Sequence, residues 1–125
     1  MKFLCLAYYD EAKYKALPKD QLQAIVKQCP AFDAELKSTG KMLFSASLRE
    51  PNETICIRPK GGRPSYTDGP FTEAKEMIGG FFMIEAADAE EAKRIASHHP
   101  AAHLGEQIGW GVEVRPVGFF LDGQR

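Results

Sequence analysis

The sequence predicts an α+β fold in which an antiparallel sheet carries two helices on one of its faces. Two observations lead to this prediction. A strand, helix, strand order of apolar patterns occurs twice along the chain, with a hairpin between the halves. The leading strand of each half is apolar at consecutive positions, so both of its faces need to be covered. The length of 125 residues suits one domain spanning 1–125.

A strand from Phe3 to Tyr9 and a helix over 18–37 open the first half, and residues 10–17 are predicted to form a loop between them. Pro18 suits the first turn of a helix, and Asp20 suits its positive end. The apolar residues recur at spacings of three and four, which places them on one helical face: Leu22, Ile25, Val26, Cys29, Phe32 and Leu36.

Pro30 and Gly40 shape the rest of this helix. Pro30 either kinks the helix or begins a second helical segment, because proline has no N–H to donate inside a helix. Gly40 is well placed to end the helix. A second strand, from Met42 to Leu48, follows.

A hairpin separates the two halves. Its strands are predicted over Glu53–Arg58 and Ser65–Thr67, around a Gly-Gly tip. The turn Asp68-Gly69-Pro70 then stiffens the chain, because Pro70 fixes its own φ. We expect this turn and the charged segment after it to present four side chains at one mouth of the sheet: Asp68, Glu73, Lys75 and Glu76.

The second half repeats the order of the first. A long apolar strand runs from Ile78 to Ala86, and Asp88 caps a helix that extends to about His98. Pro100 ends this helix, and Trp110–Val117 forms the last strand. The two halves together indicate a ferredoxin-like sheet whose helices cover only one face.

The uncovered face of the sheet predicts a dimer. In the first strand, Phe3, Cys5, Ala7 and Tyr9 point one way while Leu4, Leu6 and Tyr8 point the other, so apolar side chains also lie on the face that the helices leave uncovered. A second copy of the sheet is the simplest cover for them, which gives a two-fold homodimer. Glu113 and Arg115 of the last strand lie on the same helix-free face, beside the space between the two sheets.

Composition narrows the class of protein. Lys and Arg number 16 against 17 Asp and Glu, a net charge of -1, which gives no support for nucleic-acid binding. The three cysteines are widely spaced and predict neither a disulfide framework nor a zinc site. The apolar run at the N-terminus is too short for a membrane span, so we expect a soluble cytoplasmic protein.

The three histidines are His98, His99 and His103. At the end of the second helix they suit either of two roles, contact with free backbone carbonyls or general acid–base chemistry in a pocket. Metal binding is disfavoured, because Pro100 breaks the helix between His99 and His103. The chain has no P-loop and no G-x-G-x-x-G, so the sequence predicts no cofactor.

The run from Asp68 to Glu76 resembles the signature of the DGPF family, part of the wider YCII-related superfamily. Three other segments support the resemblance: Phe32–Leu36, Gly79–Phe82 and Val112–Val117. The resemblance implies a dimeric α+β barrel with a cleft between sheet and hairpin. Relatives include lactone- and dehydrochlorination-type enzymes, and others occur with sigma-factor regulators. In the YCII branch the resemblance implies a His and Asp catalytic pair.

The chain departs from that branch, because the helix over 18–37 has no histidine and His99 stands where the branch tends to have an acidic residue. We therefore expect His99 as general acid or base, with Asp68 as its carboxylate. Arg115 would receive an anionic substrate group and Glu113 would hold Arg115, with the rim formed by Glu73, Lys75 and Glu76.

Two functions remain open from the sequence. One is a cofactor-independent enzyme that acts by acid–base chemistry on a small organic acid or lactone-like metabolite. The other is a non-enzymatic ligand-binding or regulatory module associated with a sigma-factor system.

Overall fold

A computed structural model describes residues 1–70 and 74–124, and it has the predicted α+β fold with a ferredoxin-like antiparallel sheet. The strands are β1 (Lys2–Asp10), β2 (Met42–Ser47), β3 (Ile55–Lys60), β4 (Arg63–Asp68), β5 (Glu76–Glu85) and β6 (Gly111–Pro116). Four of them form one sheet in the order β2-β5-β1-β6, and a separate hairpin pairs β3 with β4. The α-helices are α1 (Glu11–Ala16), α2 (Lys19–Val26), α3 (Cys29–Ser38) and α4 (Ala89–Ala96). Short 3-10 helices span Pro51–Glu53, Pro100–Ala102 and Glu106–Ile108. In the described ranges, no helix combines the length and apolar character that a membrane crossing requires.

The predicted loop over residues 10–17 is wrong, because α1 occupies most of it. Asp10 is the N-cap of this helix, and its Oδ1 accepts a hydrogen bond from the Lys13 backbone N–H at 3.1 Å. Asp10 is almost completely buried. An aspartate followed by Glu11 is a typical start of a helix, so the sequence did contain a helix signal here. The helix was missed because the segment is too short to show a helical spacing of apolar residues.

The predicted helix over 18–37 is two helices, α2 and α3. Pro30 lies in the first turn of α3, where its missing N–H costs nothing because the first backbone donors of a helix have no acceptor inside it. Of the two roles that the sequence left open for Pro30, the start of a second segment is therefore the one observed.

The core lies between the sheet and the helices. Phe3, Cys5, Phe82 and Ile84 are almost completely buried on the helix side of the sheet. The helices contribute buried side chains to the same cluster: Leu36, Ala92, Ile95 and Ala96. Burial raises the pKa of the Cys5 thiol to about 12, so this side chain behaves as a small hydrophobe.

Gly79 and Gly80 allow two close approaches in the middle of the sheet. The register of β1 against β5 shifts here, so that Ala7 pairs with Gly80 and Tyr8 pairs with Ile78. A Cβ on Gly80 would lie 2.9 Å from the backbone oxygen of Ala46 in β2. A Cβ on Gly79 would lie 3.0 Å from the Tyr9 ring. The pair thus lets β2 come close and leaves room for Tyr9.

The helix-free face carries Glu113 and Arg115, as the alternation of β6 predicts. Glu113 lies opposite Leu6, and Arg115 lies opposite Leu4, so both charged residues share the face of those leucines. Phe44 and Phe81 add an edge-to-face aromatic pair, with ring centroids 6.0 Å apart. The homodimer that would cover this face stays a prediction.

Candidate functional site

A cavity of about 630 Å³ lies on the helix side of the sheet, between the strands and helices α2 and α3. Most of its wall is apolar, and it remains open to solvent because Val26 and Leu48 on its wall are about half exposed. Strands of the sheet contribute one side of the wall, including Ala7, Tyr9, Ser45, Ser47 and Gly80. Helices α2 and α3 contribute Leu22, Val26, Cys29 and Asp33. The segment after α4 contributes His99, Ala101, Ile108 and Trp110. An apolar recess with a few polar groups is typical of a small-molecule site.

His99 is held in one orientation at the wall of this cavity. It is the N-cap of the 3-10 helix Pro100–Ala102, and its Nδ1 accepts a hydrogen bond from the Ala101 backbone N–H at 3.0 Å. Its ring stacks on Phe82, with centroids 4.6 Å apart and planes 2° apart. Burial lowers the pKa of His99, and the nearby Asp33 carboxylate opposes that shift.

These contacts define the tautomer of His99. Because Nδ1 accepts a hydrogen bond, the single proton of the neutral imidazole is on Nε2. A neutral ring with a proton on Nε2 donates a hydrogen bond and has no free lone pair for a substrate proton. Of the acid and base roles that the sequence left open, the geometry favours donation.

Two of the described residues that line the His99 cavity are acidic, Asp33 and Glu50, and Asp33 is the one that acts on His99. It lies on α3, and its carboxylate is close enough to raise the pKa of His99. Sequence reasoning missed it, because Asp33 falls between the apolar positions of a helix and looks like an ordinary solvated side chain. Only the packing of α3 against the segment after α4 reveals its position.

Asp68 lies elsewhere. It ends β4 on the separate hairpin, its side chain is exposed, and it is not among the described residues that line the cavity. At the turn that follows it, the Cys56 thiol donates a hydrogen bond to the Gly69 carbonyl at 2.6 Å. The pairing of His99 with Asp68 stays a prediction.

The predicted rim falls only partly within the described residues. Glu73 lies outside them. Lys75 and Glu76 are exposed at the start of β5, and the Lys75 carbonyl accepts a hydrogen bond from the Glu11 N–H at 3.4 Å. Neither side chain is among the described residues that line the cavity.

Glu113 and Arg115 form a different cluster, on the opposite face of the sheet from His99. The Tyr8 hydroxyl donates a hydrogen bond to Glu113 at 3.2 Å. Partial burial and the Glu113 carboxylate raise the pKa of Tyr8, while Arg115 opposes the shift. Arg115 therefore lies near Tyr8 and Glu113, on the face that the dimer prediction concerns.

The other two histidines have structural partners. His103 stacks on Phe32, with ring centroids 4.9 Å apart, and its Nε2 donates to the Ser97 carbonyl at 2.5 Å. Ser97 is the C-cap of α4, so His103 takes the carbonyl-binding role that was considered for the helix end. Nδ1 of His98 lies 3.4 Å from Glu35. Within the described ranges, no three His, Cys, Asp or Glu side chains are placed to hold a metal ion.

Comparison with known proteins identifies a family. The family model of the YCII-related domain matches residues 1–117. The chain is also similar to an uncharacterized protein, R00369, of Rhizobium meliloti (strain 1021), with 27% identity over 124 residues that cover 99% of this chain and 98% of the relative. The relative carries no described activity. Because the family model matches most of the length of this chain, the chain belongs to the YCII-related family.

Proposed function

We propose that the protein is a cofactor-independent enzyme that uses the His99 cavity for acid–base chemistry on a small lactone-like carbonyl compound. The observation that carries the proposal is a neutral, oriented imidazole on a largely apolar wall, with a carboxylate on the same wall. Groups with shifted pKa values inside a recess are typical of catalytic sites.

The two side chains would divide the chemistry between them. Nε2–H of His99 would donate a hydrogen bond to the substrate carbonyl oxygen and stabilise the negative charge that develops there. The Asp33 carboxylate would accept a proton from water as the water oxygen attacks the carbonyl carbon. That proton would then pass to the ring oxygen as its bond to carbon breaks, which leaves a hydroxy acid and the original Asp33 carboxylate.

The charge of the cavity favours a neutral substrate over a small acid. Asp33 and Glu50 both lie on its wall, and among the described lining residues there is no Lys or Arg. A carboxylate substrate would meet like charges and no cation. Arg115, which the sequence suggested as an anion receptor, points to the other face of the sheet.

A thermal-shift screen against neutral lactones and the corresponding hydroxy acids tests the proposal, followed by NMR detection of ring opening. We expect lactones to stabilise the protein and to be hydrolysed. His99→Gln and Asp33→Asn should abolish turnover while the fold is kept. His98→Gln is the matched control, because His98 contacts Glu35 and does not line the cavity. Equal turnover by the His99 and His98 variants would refute the assignment.

A second candidate is the binding or regulatory module, and one observation favours it. Ile55, Ile57 and Tyr66 lie on one face of the hairpin, and each is more than half exposed. Such a patch suits a protein partner, and this patch lies outside the helix-free face of the main sheet. This function would be favoured over the enzyme by two results together. No small molecule would stabilise the protein in the thermal-shift screen, and Ile57→Lys would lose a complex that the parent chain forms with a regulator protein.

We also propose that the chain forms a homodimer through its helix-free face. Apolar side chains on the helix-free face support it, since Phe44 and Ile78 are each about two-fifths exposed in the single chain. A second copy of the same face would cover them and would place Glu113 and Arg115 near the two-fold axis or its rim.

A further inference from the structure

A second, smaller recess adjoins the His99 cavity. It has a volume of about 220 Å³ and lies beside α1 and the 3-10 helix Pro51–Glu53. Three residues line both spaces: Tyr9, Tyr14 and Glu50. We call these three residues the neck. A ligand that fills the His99 cavity can therefore extend past the neck without crossing the sheet.

The neck combines aromatic rings with negative charge. The rings of Tyr9 and Tyr14 are 5.5 Å apart between centroids and tilted by 59°. Gly79 leaves room for the Tyr9 ring, because a Cβ there would lie 3.0 Å from it. Glu50 lies beside the rings, and within the described residues no ion pair neutralises it.

A second carboxylate adds to the negative potential. Glu11 and Lys15 both line the smaller recess, 3.9 Å apart; Lys15 is largely exposed, so the pair is weak and Glu11 and Glu50 outnumber this cation. Partial burial, Glu11, Tyr14 and Glu50 raise the pKa of Tyr9, in keeping with the place of both carboxylates beside its ring. Tyrosine faces with adjacent carboxylates are the chemistry that binds ammonium groups.

We propose that the neck formed by Tyr9, Tyr14 and Glu50 binds an ammonium group of the ligand whose uncharged part occupies the His99 cavity. The uncharged part of this ligand is assigned on the basis of the proposed function. The binding of the ammonium group by the neck does not depend on that function. The substrate class thereby narrows to carbonyl compounds that carry an amine.

Two probes separate the neck from the rest of the cavity. Butylammonium and 1-butanol have the same carbon chain and differ in charge, so NMR titration of the full chain with each isolates the contribution of the cation. We expect butylammonium to shift the resonances of Tyr9 and Tyr14 and to bind at least about tenfold more tightly than 1-butanol. Glu50→Gln should remove that difference and leave the binding of 1-butanol unchanged.

Glu53→Gln is the matched control, because Glu53 is an exposed carboxylate on the same segment that pairs with Arg49 and lines neither space. Equal binding of the two probes, or equal loss in the Glu50 and Glu53 variants, would overturn the inference. γ-Valerolactone, which has no charge, reports on the His99 cavity alone. Turnover of the lactone without binding of butylammonium would refute ammonium binding by the neck and leave the proposed function intact. Binding of butylammonium without turnover of the lactone would refute only the proposed function.

Discussion

The imidazole of His99 lies flat on the ring of Phe82, with 4.6 Å between the ring centroids. Phe82 is fully buried in the sheet, so a core side chain holds one face of the only histidine that lines the cavity among the described residues. The stack and the hydrogen bond from the Ala101 N–H fix the ring from two directions. The proposed chemistry depends on that placement.

The tautomer is the first testable consequence. We expect ¹⁵N chemical shifts of His99 at neutral pH to show a protonated Nε2 and an unprotonated, hydrogen-bonded Nδ1, since Nδ1 accepts from Ala101. His103, whose Nε2 donates to the Ser97 carbonyl, provides an internal reference for a donating Nε2. A His99 signal with the proton on Nδ1 would contradict the donor role.

The pH dependence of stability follows from the lowered pKa of His99. The unfolded chain binds a proton at an ordinary pKa of about 6.5, whereas the folded chain resists that proton. The contribution of neutral His99 is therefore complete above about pH 6.5 and is lost as the pH falls through the folded pKa. Chemical denaturation of His99→Gln should show a flatter decline in unfolding free energy below neutral pH than the parent chain. His98→Gln is the matched control, because His98 does not line the cavity.

Phe82→Leu tests the support beneath the imidazole. The substitution removes the stacking surface and part of a completely buried side chain, so we expect a loss of about 1–3 kcal/mol in unfolding free energy. Without the ring, His99 should also become more hydrated, and its pKa should rise towards the ordinary value in an NMR titration. An unchanged His99 pKa in a folded Phe82→Leu protein would show that the stack does not shield the imidazole.

Most of the fold could be predicted from the sequence, because it is encoded in local periodicity. The alternation in β1 predicted two apolar faces, and the register places Leu4 and Leu6 on the face of Glu113 and Arg115. The candidate site could be predicted only in part. His99 was identified by its chemistry, but Asp33 reaches the same wall through the packing of α3, and no spacing within the helix reports that contact.

The two adjacent glycines of β5 offer a sharp test of the sheet. In Gly80→Ala the new Cβ would lie 2.9 Å from a backbone oxygen of β2, which cannot move like a flexible side chain. We expect a loss of about 1–3 kcal/mol in unfolding free energy and weaker protection of β2 amides in hydrogen exchange. Gly111→Ala is the control, since nothing lies within 4 Å of its Cβ position. Equal stability of the two variants would contradict the close approach of β2.

The homodimer is tested by a charge on the helix-free face. Phe44→Lys would place an ammonium group beside Phe81, and desolvating it in a dimer would be unfavourable. We expect this variant to be a monomer by light scattering at micromolar concentration, with the circular dichroism of the parent. Ile55→Lys, on the exposed hairpin face, should stay a dimer. A monomeric parent, or dissociation in Ile55→Lys alone, would count against the helix-free face.

Asp33 and Asp68 are the two candidate partners of His99, and they predict opposite results in a single measurement. The Asp33 carboxylate raises the pKa of His99 against the effect of burial. Asp33→Asn removes that charge at nearly constant shape, so the pKa of His99 should fall further below its ordinary value. Asp68→Asn should leave it unchanged, because Asp68 is exposed on the separate hairpin. NMR titration of the His99 ring in both variants decides between them, and a shift in Asp68→Asn alone would restore the pairing that the sequence suggested.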